Sequence, residues 1–170
     1  MTAVLDRPRL TVPVSGRDHI LGSATATRML LEYGDYECPF CAAAHPVVKQ
    51  LLRTVGDEVT FAFRHFPLTQ IHPQAELAAE AAEAAGSQGS FWEMHDVLFE
   101  NQPRLADADL RRYADRVGLD VERFDADMAR HAYAGGPCTG AARPKRRGVM
   151  GRVHATSGDV DRCDLCQLRS

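Results

Sequence analysis

The alternation of apolar and polar positions divides the chain into a front part with strand-like runs and a longer part with helical period. Residues 28–33 include Leu30, Leu31 and Tyr33, a short apolar run suited to a buried strand, and Gly34-Asp35 breaks it. Pro39 then opens a helix predicted over about 39–55. At the first helical position its missing N–H costs nothing and its fixed φ helps. Val47, Val48, Leu51 and Leu52 mark an apolar stripe on that helix, and Gly56-Asp57 stops it. Residues 59–64, Val-Thr-Phe-Ala-Phe-Arg, are β-branched and aromatic enough for a second strand. Strand, helix, strand in so short a stretch is a βαβ unit, with parallel strands and a right-handed crossover expected. From 72 to about 133 the pattern predicts four helices, near 76–85, 91–99, 106–117 and 121–133, with Gly86 and Gly118 as stops. Their shared core is expected from Phe91, Trp92, Leu98, Phe99, Leu110, Tyr113, Phe124 and Met128. Ahead of the first strand, Pro8, Pro13, Gly16 and Gly22 punctuate an arm in which 18–22 reads as a tight turn.

Composition changes this picture in two places. With 170 residues and a net charge of −3, the chain can build one real core and has no global pull toward nucleic acid or membrane. The last thirty residues differ from the rest, with seven Lys/Arg against three Asp/Glu and no aromatic side chain. The domain organisation expected is an arm at 1–26, a βαβ half at 27–70, a helical region at 71–134 and an atypical basic tail at 135–170. No apolar run is long enough to span a bilayer, and residues 1–9 lack the apolar segment of a secretory signal, so a cytoplasmic chain is expected. Five cysteines argue against a disulfide framework. In a reducing compartment a paired Cys-x-x-Cys is catalytic or metal-binding rather than permanently bridged.

That pair is Cys38-Pro39-Phe40-Cys41. Cys38 falls at the helix N-terminus, where unpaired N–H groups and the helix dipole favour a thiolate. Cys41, one turn on, is close enough to close a disulfide, so Cys38 reads as the nucleophile and Cys41 as the resolving thiol. A pair at this spacing also serves as half of a zinc site. The preceding strand and the helix-opening proline favour redox chemistry. Asp35 and Glu37 could relay the Cys41 proton, but the preferred reading has them facing water. His45, four residues after Cys41, shares its helix face and reads as a surface or packing histidine. His65, His72 and His95 are expected to be structural, since no ligand spacing links them. A second pair, Cys163-Asp164-Leu165-Cys166, lacks a strand or a proline before it, and the basic run at 143–147 reads as solvated chain.

Three stretches carry a resemblance: 31–41 (LEYGDYECPFC), 63–73 (FRHFPLTQIHP) and 83–99 (EAAGSQGSFWEMHDVLF). Over about 18–133 the chain resembles the DsbA-like thiol–disulfide oxidoreductases of the thioredoxin superfamily, and in particular the cytoplasmic bacterial branch also found fused to sodium/proton antiporters. The resemblance implies an α/β thioredoxin-like fold whose βαβ half is followed by an inserted helical domain. It also implies a ββα half entered through a Gly-Thr-Pro loop. No such loop is found here: Pro137 comes too early, Pro144 is followed by a basic run, and 149–156 is one weak strand. The activity implied is disulfide exchange with protein or small-molecule thiols through Cys38 and Cys41, without a cofactor and without nucleic acid or membrane as partner. Phe40 stands where strongly oxidising periplasmic members carry a histidine; a neutral ring adds no positive charge, which implies a weaker oxidant. The alternative from another class is a non-catalytic zinc-binding or degenerate interaction protein using the same cysteines.

Overall fold

The computed structural model describes residues 12–16, 18–23 and 25–134. A three-stranded sheet, β1 (His19–Leu21), β2 (Arg28–Gly34) and β3 (Val59–His65), runs in the order β1-β3-β2. Strands β2 and β3 are parallel, with Leu30 opposite Phe61, and α1 (Pro39–Val55) connects them through a single 3-10 turn. Four further helices follow: α2 (Ala75–Gly86), α3 (Phe91–Glu100), α4 (Asp107–Arg116) and α5 (Val121–Ala129). The mixed α/β, thioredoxin-like class expected from the sequence is what the chain adopts. No helix among the described residues is long and apolar enough to cross a membrane.

One expectation is corrected at the start. Residues 19–21, read as part of a tight turn, form β1 and pair antiparallel with β3, Ile20 opposite Ala62. Three residues carry no periodicity of their own; the pairing is set by β3, which is buried along its whole length. A second correction concerns α1. Val48 and Leu52 pack toward the core with Cys41 and Ala42, whereas Val47 is 66% and Leu51 41% exposed. The four residues span two faces of the helix, and only one of those faces meets the sheet. Pro137, Cys138, Pro144, the run 143–147, the strand expected at 149–156 and the pair Cys163/Cys166 lie outside the described residues.

Parity along β3 assigns the two faces of the sheet. Phe61, Phe63 and His65 face the helices, where Phe61 meets Trp92, and Phe63 meets Tyr36, Phe91, His95 and Phe99. Approach there is close: a Cβ at Gly34 would lie 2.2 Å from the Phe63 ring, so only glycine fits where β2 ends. Thr60, Ala62 and Arg64 face the other way, under the N-terminal arm. The Arg64 guanidinium uses all five N–H donors there: Nε and Nη2 on the Asp18 carboxylate, the rest on Val12 O, Pro13 O and the Tyr33 hydroxyl.

Polar side chains also pin the helical region to the sheet. Glu83 on α2 is buried and accepts at a single oxygen, Oε1, from His19 Nε2 at 2.7 Å and His65 Nε2 at 2.9 Å. Burial pushes the Glu83 carboxyl up, but the two imidazole hydrogen bonds and their charge outweigh it and hold the group at about 2. A depressed carboxylate contributes stability that is fully present above its ordinary value near 4.5 and lost as pH falls toward 2. That window corresponds to on the order of 3 kcal/mol. Denaturant unfolding of wild type and Glu83→Gln over this acidic range should show the wild type losing stability more steeply as pH falls. Parallel curves for the two proteins would remove the ion-paired role assigned to Glu83.

Candidate functional site

The site is built where β2 gives way to α1. Gly34 ends the strand, and the backbone turns back on itself, the Cys38 N–H donating to Asp35 O at 3.1 Å. Cys38 takes extended backbone angles (φ −74°, ψ 120°) as the N-cap of α1, and Pro39 occupies the first turn. Both Cys38 and Cys41 are free, half-buried thiols. Cys41 follows Cys38 by one turn of the helix. Burial pushes the Cys41 thiol up to about 11, and the neighbouring Cys38 and the charge of Glu32 act in the same direction. Phe40, between the two cysteines, is 83% exposed.

The turn is clamped by side chains. Asp35, buried, accepts from the Glu37 N–H at 2.8 Å through Oδ1, and from the Leu68 N–H at 2.8 Å and His72 Nδ1 at 2.7 Å through Oδ2. Glu37 Oε2 accepts from the Gln74 N–H, immediately before α2, at 2.7 Å. The preferred expectation that both carboxylates face water is therefore corrected. They brace the dithiol turn against the segment between β3 and α2, an arrangement set by pairing across more than thirty residues. Gln102 adds a third brace, its Nε2 donating to Tyr36 O at 2.8 Å and Cys38 O at 2.7 Å. Nothing in the sequence around Gln102 marks this role, because it comes from the turn after α3.

A further carboxylate, Glu32, was passed over by sequence reasoning. It lies on the helix-facing side of β2, opposite Phe63, and its charge is felt at Cys41. Burial raises its carboxyl above the ordinary range. The signal was present: an acid at the same strand parity as Leu30 and Gly34, inside an otherwise apolar run.

The histidines separate into three groups. His72 serves Asp35, and His65 serves Glu83. His45 is buried and stacks on Phe99 at 5.0 Å. His95, also buried, places Nδ1 3.0 Å from the Tyr36 hydroxyl. Burial lowers both His45 and His95, the latter strongly. An open depression between α2, α4 and α5, lined by Leu77, Leu110, Phe124 and Met128 with Arg111 and Asp125 at its rim, contains no residue of the dithiol turn.

A thiol held mostly protonated by burial reacts slowly with an alkylating agent. At pH 8 a group titrating near 11 is thiolate in about one molecule in a thousand. Brief iodoacetamide treatment of the reduced protein, followed by peptide mapping, should label Cys38 and leave Cys41 largely unmodified. Equal labelling of the two would show that Cys41 is not shielded as described.

The comparisons agree with this architecture. The thioredoxin family model matches residues 14–136. The sodium/proton antiporter NhaA 3 of Salinispora tropica is 50% identical over 160 residues, which is 94% of this chain and 22% of that protein. The chain thus spans about a fifth of the length of such relatives. Among solved structures, a thioredoxin-like oxidoreductase from Silicibacter pomeroyi superimposes with a TM-score of 0.61 at 29% identity, covering 68% of this chain and 65% of that one. Oxidised BdbD from Bacillus subtilis gives 0.64 at 23% identity, covering 71% and 70%, a likeness of fold. With the family model matched over most of its length, the chain belongs to the thioredoxin family and is similar to the corresponding part of NhaA antiporters.

Proposed function

We propose that this chain is a thiol–disulfide oxidoreductase whose working pair is Cys38 and Cys41. The observation that carries the reading is the placing of two free thiols where a strand gives way to a helix, Cys38 at the N-cap of α1 and Cys41 in its first turn. The Cys38 thiolate attacks one sulfur of a substrate disulfide, forming a mixed disulfide and releasing one substrate thiolate. Cys41 then gives up its proton and attacks the Cys38 sulfur. The second substrate thiolate leaves, and the Cys38–Cys41 disulfide closes with two electrons transferred. Run backwards, the same steps oxidise a substrate dithiol.

Glu32 takes the Cys41 proton in the resolving step. Its elevated carboxyl is a better match to a thiol than an ordinary carboxylate is. The coupling runs both ways: as an anion Glu32 disfavours the Cys41 thiolate, and once protonated it no longer does. Substrates are proteins or small molecules presenting a thiol or disulfide. For a protein substrate, exposed Phe40 in the dithiol turn and exposed Ile71, in the segment Asp35 holds beside it, supply apolar contact.

The reading is tested by equilibrating the protein in glutathione buffers, trapping thiols and mapping each cysteine. A single two-electron couple confined to Cys38 and Cys41 is expected; a pair with no discrete couple, or one occupied by zinc, would end the proposal. In single-turnover reactions Glu32→Gln should lengthen the life of the mixed disulfide at least about tenfold while leaving its formation unchanged. An unaltered lifetime would remove Glu32 from the mechanism.

A further inference from the structure

Two groups of histidine and carboxylate side chains lie in the described fold apart from the thiols, and they differ in one respect. In His19, His65 and Glu83, the atoms that face one another are already used, both imidazoles donating through Nε2 to one carboxylate oxygen, and the atom left without a partner is the other ring nitrogen of His65, Nδ1. In the second group, His45 on α1 with His95 and Asp96 on α3, the atom without a partner is one of those that face one another. The three donor atoms of this group lie within 4.8 Å of one another. His45 Nε2 is shut off from solvent and makes no hydrogen bond, although Asp96 Oδ1 is 3.2 Å away. Buried polar atoms without a partner are rare because desolvation is left uncompensated. An imidazole lone pair beside a carboxylate oxygen, out of line for a proton between them, is the arrangement a cation would resolve.

We propose that His45, His95 and Asp96 form a binding site for a divalent transition cation of the zinc type. The donor set, two imidazoles and one carboxylate, suits such ions and leaves further positions for water. Asp96, 37% exposed at its side chain, opens the site to solvent. The Tyr36 hydroxyl, 3.0 Å from His95 Nδ1, orients that ring in the way outer partners orient metal-bound histidines. Lys49 Nζ sits 2.6 Å from Asp96 Oδ2, leaving Oδ1 to the ion, and Glu100 lies 3.9 Å from the same ammonium. That ammonium opposes a dication, so the affinity expected is below that of closed structural zinc sites. Since the ligands come from α1 and α3, occupancy would tie the helix that carries the dithiol to the helical region.

The test uses the full chain with its thiols alkylated, titrated with Co²⁺ as probe and then with Zn²⁺ in competition. One equivalent of Co²⁺ should bind with a spectrum lacking thiolate-to-cobalt charge transfer, should be displaced by Zn²⁺, and should raise the unfolding temperature. Asp96→Asn, at a part-exposed position that tolerates change, and His45→Gln should each weaken binding at least about tenfold. Glu100→Gln, beside the site but not a ligand, should leave it unaltered. No binding, or binding that Asp96→Asn does not weaken, overturns the proposal. If His45→Gln fails to fold, Asp96→Asn alone decides.

Discussion

A carboxylate removed from water costs several kcal/mol unless charge or hydrogen bonds replace what it loses. Glu83 meets that requirement with two imidazoles on one oxygen, and much of the architecture follows from it. The three partners come from β1, β3 and α2, so the pairing fixes the short first strand, the central strand and the first helix of the helical region at one point. The aromatic layer beside it, Phe63, Phe91, His95 and Phe99 around Tyr36, supplies the burial that a sheet this small cannot supply alone. Neither contribution is independent of the other. The ion-paired group sets where α2 lies, and the aromatic layer keeps water from loosening it.

From that anchor the geometry of the dithiol turn is inherited. The segment leading from β3 into α2 is held at its far end, and Asp35 and Glu37 grip it in turn. Acids near the thiols thus divide into two kinds. Asp35 and Glu37 spend their oxygens on backbone N–H groups and an imidazole and act as fasteners. Glu32, in the strand beneath, has burial without such partners, and its carboxyl is raised. The separation is physical rather than positional: all three lie within six residues of Cys38, and only their surroundings tell them apart.

Local chemistry explains what could be read from the sequence. Pro39 after a strand-ending Gly34-Asp35 located the start of α1, and the β-branched and aromatic run located β3, because both signals are contiguous. Helices α2 to α5 were visible from period and glycine stops, with their ends shifted by a few residues. What escaped depends on elements far apart in the chain. Strand β1 exists because β3 offers it an edge. The Gln102 brace on Cys38 O crosses 64 residues, and the meeting of buried His45 with part-exposed Asp96 joins two helices. Reading α1 as one apolar stripe failed for a related reason: sequence shows which residues are apolar but not how narrow a face the sheet will cover.

The strand order has a consequence for how the molecule behaves in a crowd. Among the described residues β2 is paired on one side only, by β3, so the N–H and C=O groups of alternate residues along its seven-residue length are unpaired by any described strand, beside exposed Met29 and Tyr33. An apolar edge of this length is a template on which another chain can extend the sheet. Two charged residues interrupt it, Arg28 at its start, within 3.7 Å of Glu58, and Glu32 at its middle. Stacking identical strands in register would bring like charges together at both positions. In this light Glu32 also acts as a gatekeeper, making self-association of the strand it occupies costly.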